Sequence, residues 1–244
     1  MTQPLRYAMN VTLDGCVHHE AGLPPDAESM AFWTDELRRS DTLLYGRVTF
    51  EMMRAAWRRP GSGEWPGWMG PDEIPFAEKI DAMPKRVVSS TLDTVDWNAE
   101  LVPGDLTAAV ERLKAQPGRG ISLGGVQVPA VLAGLGLIDE YTFVVHPVVA
   151  GRGPRLLEGV PLTLELVGRR EFGSGAVVQR YRPVAQGKPF PAAPGEDDPA
   201  SAGNLGRCRS SRRRCRRGGR RRGRSGTTRV AGETQGRRCP IGVD

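Results

Sequence analysis

Residues 41–51 read Asp-Thr-Leu-Leu-Tyr-Gly-Arg-Val-Thr-Phe-Glu, and the way this stretch turns decides the fold. Thr42 to Tyr45 is a short apolar run of the kind that forms a buried strand. Gly46 ends it, and Val48 to Trp57 resumes at helical spacing. A strand that passes through Gly-Arg straight into a helix is a β-α junction. The new helix presents free N–H groups and the positive end of its dipole, which suits an anion. Arg47 adds a forked donor for a phosphate monoester. Taken alone, a Gly-Arg after a strand is an ordinary turn, so the neighbouring segments carry the argument.

Upstream, Leu5 to Leu13 reads as a strand and Asp14-Gly15 as its turn. Pro24-Pro25-Asp26 leads into a helix over Ala27–Arg39, with Met30, Phe32, Trp33 and Leu37 as its apolar face and Asp26 as N-cap. Downstream, residues 58–75 are rich in Gly, Pro and Trp and read as a loop. Lys85 to Ser89 is a strand, and Leu106 to Lys114 a helix capped by Asp105. Gly120 to Leu123 is a strand closed by Gly124-Gly125. Val128 to Leu135 is a helix with Pro129 in its first turn, where a missing N–H costs little. Asp139–Pro147, Leu162–Phe172 and Ala176–Tyr181 follow as strands. This alternation predicts an α/β protein with a mostly parallel sheet covered by helices and antiparallel strands at its end.

Ligands of such sheets sit beyond the C-terminal ends of the strands. Three strand ends here share a chemistry: Gly46-Arg47-Val48-Thr49, Ser89-Ser90-Thr91, and Gly124-Gly125-Val126-Gln127. Each offers glycine, hydroxyls or arginine. Glycine lets backbone approach closely, and two separate anion sites on one sheet fit a dinucleotide.

Charge divides the chain in two. Residues 1–184 hold 19 basic and 23 acidic side chains, and residues 185–244 hold 15 and 5. The basic excess therefore belongs to the tail and says nothing about the body's ligand. Residues 185–206 are rich in Pro, Gly, Ala and Asp. The segment after them carries Arg212-Arg213-Arg214 and Arg220-Arg221-Arg222. With so few apolar side chains it cannot offset the entropy of ordering, and a disordered tail is expected. The domain reading is thus a body over 1–184 and a tail over 185–244. Only Cys16 lies in the body; Cys208, Cys215 and Cys239 lie in the tail at spacings that match no zinc site. No charged-then-apolar leader and no run of 18 apolar residues is seen, so a cytoplasmic protein is expected.

Five stretches together resemble the dihydrofolate reductase-like superfamily, and within it the reductase domain of the bacterial riboflavin-synthesis deaminase-reductase and its stand-alone relatives. They are Thr12–Gly15, Asp41–Glu51, Lys85–Leu92, Leu123–Gly125, and Gly136–Tyr141 running on through His146–Gly153. The resemblance covers residues 5–182. It implies the superfamily's three-layer fold, a homodimer, and an NADPH-dependent reduction of a pteridine-like or (phosphoribosylamino)pyrimidine molecule. By position, Gly46, Arg47 and Thr49 would hold cofactor phosphates, and Ser89 and Ser90 would line the adenosine side. Gly124 and Gly125, with Val126, Gln127 and Val128, would cradle the pyrophosphate, across a Gly-Gly peptide that is often cis in the family. Asn10 and Val17 would border the nicotinamide, and the loop Asp14–Leu23 would close over it. Asp26 stands where the folate enzymes carry their acid, with Glu28 as the alternative. Asp14, Arg152 and Arg155 are candidates for the substrate side.

Two other readings compete. Gly120-Ile121-Ser122-Leu123-Gly124 matches the Gly-x-Ser-x-Gly motif of serine hydrolases, with Asp139 and His146 following in order; yet Ser122 falls inside the strand rather than at the turn. The arginine-rich tail resembles RNA-binding low-complexity segments, although it lacks interleaved aromatics, and a functionless extension is the plainer alternative. His18, His19 and His146 stand in no Cys/His/Asp cluster, so no metal is expected. The resemblance to the riboflavin-type reductases further implies that Tyr141–Val149 and Val177–Tyr181 are dimer edges.

Overall fold

The computed structural model describes residues 2–102 and 104–184. The expectations for the tail, disorder and RNA binding alike, concern residues outside these. The described residues form β1 (Leu5–Thr12), α1 (Ala27–Arg38), β2 (Thr42–Gly46), α2 (Arg47–Trp57), α3 (Ile74–Ala82), β3 (Lys85–Val88) and β4 (Ala99–Leu101). They continue with α4 (Leu106–Ala115), β5 (Ile121–Leu123), α5 (Gln127–Gly134), β6 (Glu140–His146), β7 (Leu164–Glu171) and β8 (Val177–Pro183).

One eight-stranded sheet runs in the order β4-β3-β2-β5-β1-β6-β8-β7. The first six strands in that order are parallel, and β8 then pairs antiparallel with both β6 and β7. The mixed, mostly parallel α/β sheet is therefore present.

Alternation along the strands sorts side chains between two helical layers. Leu43, Tyr45 and Val87 pack with Met30 and Leu37 of α1, Phe50 of α2, and Phe76 and Ile80 of α3. Leu5, Tyr7, Leu44, Ile121 and Leu123 point the other way, against Val110 of α4 and Leu132 of α5. A smaller cluster joins Phe32 to Val144, Phe172 and Val178. Three layers result.

Three details differ from the sequence reading. The segment after residue 75 holds a helix, α3, with Pro75 in its first turn. The three-residue strand β4 adds an edge beyond β3. Neither β6 nor β8 offers a free edge, because each has a neighbour on both sides; the edges are β4 and β7. The dimer edges expected at Tyr141–Val149 and Val177–Tyr181 are thus interior strands.

Candidate functional site

Because β3, β2, β5, β1 and β6 are parallel neighbours, their C-terminal ends form one row. Gly46 stands opposite Val88, and Leu44 opposite Leu123. Gly46-Arg47, Ser89-Ser90 and Gly124-Gly125 are therefore side by side at strand spacings of about 4.8 Å. Asn10 and His146 continue the row at the ends of β1 and β6.

The two glycine junctions are pressed together. A Cβ on Gly124 would lie 2.9 Å from Cε1 of Tyr45, and one on Gly125 would collide with Oγ1 of Thr49. Gly125 also has φ +98°, which side chains rarely adopt. Its carbonyl accepts a hydrogen bond from the buried hydroxyl of Tyr7 at 3.1 Å. Burial pushes the Tyr7 and Tyr45 phenols well above their ordinary pKa. The described residues contain no cis peptide bond, so the Gly124–Gly125 peptide is trans.

The consequence is a pair of helix N-termini at one place. α2 starts at Arg47 after Gly46, and α5 starts at Gln127 after Val126, neither with a side-chain cap. By contrast α1 and α4 start under Asp26 and Asp105, whose carboxylates accept from Ser29 N and Ala108 N. Free N–H groups at the first turn are an anion site when nothing in the chain satisfies them. Beside them Arg47 pairs with Glu51 at 2.9 Å on the exposed face of α2, and Ser89 Oγ accepts from Thr91 N and Leu92 N, closing the turn after β3. Ser90 is exposed. This donor set, with backbone held close by glycine, fits the phosphates of a dinucleotide such as NADPH.

Other expected site residues have structural partners. The Asp14 carboxylate accepts from Thr12 Oγ1 (2.5 Å), Ala150 N (3.0 Å) and Gly151 N (2.8 Å). The Thr12 hydroxyl bond leads in holding its pKa well below the carboxylate range. The Arg155 guanidinium donates to the Asp14 carbonyl and approaches its carboxylate at 3.4 Å. Asp14 and Arg155 thus clasp the loop after β1 to the loop after β6. Val17 is buried in the main core, at 3% exposure, between Cys16 and His18 of the loop after β1. Asp26 is the N-cap of α1 in a capping box with Ser29. Glu28 accepts from Gly173 N and Arg170 at 2.8 Å each. Both carboxylates are lowered by these bonds, led by Ser29 N for Asp26 and Gly173 N for Glu28.

Arg152 has no ion-pair partner among the described residues. It lines a cleft of about 490 Å³ with Cys16, His18, Glu20, Ala21, Ala150 and Gly153. That cleft lies between the loops that follow β1 and β6, on the edge where the strand ends converge. Among the described residues no cluster of three metal-ligating side chains occurs.

The serine-hydrolase constellation does not assemble. Ser122 pairs with Arg6 and His146 with Thr12, six residues apart along β1, or about 20 Å. Asp139 accepts from Leu5 N at the opposite end of the sheet.

Sequence reasoning gave His146 no role in the reductase site. Its Nδ1 accepts from Leu23 N at 3.1 Å, and its Nε2 meets Asn10 Oδ1 at 3.0 Å. Partners 123 and 136 residues away leave no local signal. The Tyr7 hydroxyl bond was equally hidden, although a buried Tyr needs a partner for its O–H.

Comparison with known proteins agrees with this architecture. Residues 4–178 match the family model described as the RibD C-terminal domain. The uncharacterized protein YyaP of Bacillus subtilis is 33% identical over 181 residues, covering 68% of this chain and 88% of that protein. Among solved structures, a diaminohydroxyphosphoribosylaminopyrimidine deaminase/5-amino-6-(5-phosphoribosylamino)uracil reductase from Thermotoga maritima matches with a TM-score of 0.53 and 17% identity. The match covers 75% of this chain and 57% of that one. Dihydrofolate reductase from Enterococcus faecalis, complexed with NADP(H), matches with a TM-score of 0.50 and 16% identity over 75% of this chain and 99% of that one. With the matched segment spanning β1 into β8, the chain belongs to the RibD C-terminal domain family, a family of reductases with the dihydrofolate reductase-like fold.

Proposed function

We propose that the protein is an NADPH-dependent reductase of an oxo-pyrimidine or pteridine-like heterocycle. One observation carries the reading: the uncapped N-termini of α2 and α5 abut at the Gly46 and Gly124-Gly125 junctions, on the sheet edge where ligands of such folds bind. When bound, the reduced nicotinamide would supply a hydride to a C=N or C=O carbon of the second ligand, whose neighbouring nitrogen or oxygen takes up a proton.

The chain's own residues bind and orient. The N–H groups of Val126, Gln127 and Val128 face the pyrophosphate, with Thr49 beside them. Arg47 leaves its exposed partner Glu51 for the ribose phosphate, at small cost because such surface pairs are weak. Ser89 and Ser90 flank the adenosine end, and Asn10 stands at the nicotinamide end of the row. Arg152, on the 490 Å³ cleft, faces the second ligand, whose phosphate arm in the pyrimidine case calls for a cation. The loop Asp14–Leu23 keeps water from the reacting carbon.

Calorimetry on the full chain tests this reading. NADPH should bind more tightly than NADH, and Arg47→Ala should remove most of that preference, weakening NADPH about ten- to hundred-fold while leaving NADH little changed. Indifference to both nucleotides would remove the proposal. Turnover of a dihydropterin against a phosphoribosylaminopyrimidine, followed at the reduced-nicotinamide absorbance, then separates the substrate classes.

A further inference from the structure

Asn10 and His146 lie on one face of the sheet, the face that carries α1. Asn10 is opposite Val144, and Thr12 is opposite His146, so the two side chains are diagonal neighbours. His146 is 7% exposed, whereas Asn10 is exposed at the strand end.

The hydrogen bonds fix how this pair is protonated. A backbone N–H only donates, so Nδ1 of His146 accepts from Leu23. The neutral ring therefore carries its proton on Nε2 and donates it to Asn10 Oδ1. With its oxygen engaged, the Asn10 amide is oriented, and its NH2 is turned away from the ring. That NH2 makes no hydrogen bond among the described residues. The loop is fitted to the same ring, because a Cβ on Gly22 would lie 3.2 Å from three imidazole carbons. One imidazole thus holds both the end of the covering loop and the polarity of the amide at the strand end.

We propose that His146 is a positioning residue that holds Asn10 with its NH2 outward, as the donor to a ring-borne carbonyl of the bound ligand, while Leu23 is docked. This rests on the reductase reading and deepens it. The carbonyl is either the carboxamide of a nicotinamide or an oxo group of a pyrimidine, and the recognition chemistry is the same. An aspartate at position 10 would present only acceptors and would repel either.

The arrangement requires neutral His146. A second proton, on Nδ1, would set two donors against each other at Leu23. Burial lowers the pKa of the ring below its ordinary value, against the opposing pull of Asp26. β1 brings only the uncharged Asn10 and Thr12 to it, the loop brings Gly22 and Leu23, and β8 pairs beside it through Val177 and Val178. The ring therefore takes its second proton only below the ordinary imidazole range and is neutral at pH 7.

Long-range 15N–1H correlation on the full, ligand-free chain should show His146 protonated on Nε2 and bare on Nδ1 at pH 7.5. The opposite tautomer overturns the proposal. Calorimetry should then compare NADPH, whose reduced ring is uncharged, 2′-phospho-ADP-ribose, which lacks the nicotinamide, and 5-aminouracil. Asn10→Asp should weaken NADPH or 5-aminouracil about ten-fold, the scale of one hydrogen bond, and leave 2′-phospho-ADP-ribose unchanged as a control for folding. The ligand affected identifies the source of the carbonyl. Affinity of the wild type for that ligand should fall on acidification, at a pH below the ordinary imidazole pKa of about 6.5. His146→Gln, which keeps an N–H and an oxygen, should retain most of the affinity at pH 7.5 and lose that pH dependence. Unchanged affinity of both carbonyl ligands in Asn10→Asp, or an unaltered pH profile in His146→Gln, overturns the proposal. Failure of wild-type protein to bind either nucleotide overturns the cofactor reading instead, and the tautomer and 5-aminouracil still decide the role of His146.

Discussion

At the scale of single residues, the same chemical type serves opposite ends, and burial and partners decide which. Asp26 occupies the place where an acid is expected, yet its carboxylate is held by Ser29 N at 2.7 Å. Asparagine caps helices as well as aspartate. Asp26→Asn should therefore leave the melting temperature unchanged and kcat within about three-fold of wild type, whereas Asp26→Ala should cost about 1 kcal/mol of stability in urea unfolding. A hundred-fold loss of kcat in Asp26→Asn would restore the acid role. Lys85 is the converse case, a charge in the core. It lies over the Trp97 ring at 3.9 Å and donates to the carbonyls of Met83 and Asp81. Burial lowers its pKa to about 8, against the charge of Asp81. Above that value the folded chain has released a proton that the unfolded chain still binds, up to the ordinary lysine pKa near 10.4. Stability from this group therefore rises with pH in that window. The unfolding free energy of wild type minus that of Lys85→Met should rise from pH 8 to pH 9.5, and a constant difference would show that Lys85 does not titrate there.

Among elements, the β-α junctions were the legible part, because what makes them is local. A short apolar run, a glycine and a helical pattern follow one another directly at Thr42–Trp57 and again at Ile121–Gly134. Gly125→Ala should be costly, since it places a Cβ at φ +98° and against Thr49. A loss of roughly 1–3 kcal/mol is expected in thermal unfolding, together with weaker NADPH binding. Gly134→Ala, in open space at the end of the neighbouring helix α5, should be neutral or slightly stabilising. Elements without a local signature escaped. The start of α3 is hidden behind the Gly/Pro/Trp-rich segment and carries its own proline, and β4 is too short for a periodic pattern to register. The site divides in the same way. Gly46, Arg47, Gly124 and Gly125 are readable as turn chemistry, while the contacts of Asn10, His146 and Leu23 exist only once β1 and β6 pair.

For the whole molecule, the order of strands outweighs the content of any one of them. Tyr141–Val149 has an apolar pattern fit for an edge, but β8 returns antiparallel and shields it, leaving β7 outermost. Leu166 and Val167 on that strand are about half exposed, among charged side chains that guard an edge against indiscriminate pairing. If the expected homodimer forms, β7 is the element to cover. Light scattering should then give twice the chain mass for wild type and one chain mass for Leu166→Glu; a dimer unaffected by that change would place the interface elsewhere.

The Asp14–Arg155 clasp has a consequence for ligand traffic. Beyond it, Cys16 bridges to Arg155 and Val17 N donates to Pro154 O. At the far side Leu23 is tied to His146. A segment fastened at both ends cannot swing as a lid; it can only bow outward between its anchors. The free span is His18–Gly22, five residues by numbering, which sweeps at most about 3.5 Å per residue. On the reductase reading, ligand exchange would then need only a narrow flap, and amide protons of 19–22 should trade with solvent far faster than those of 15–17.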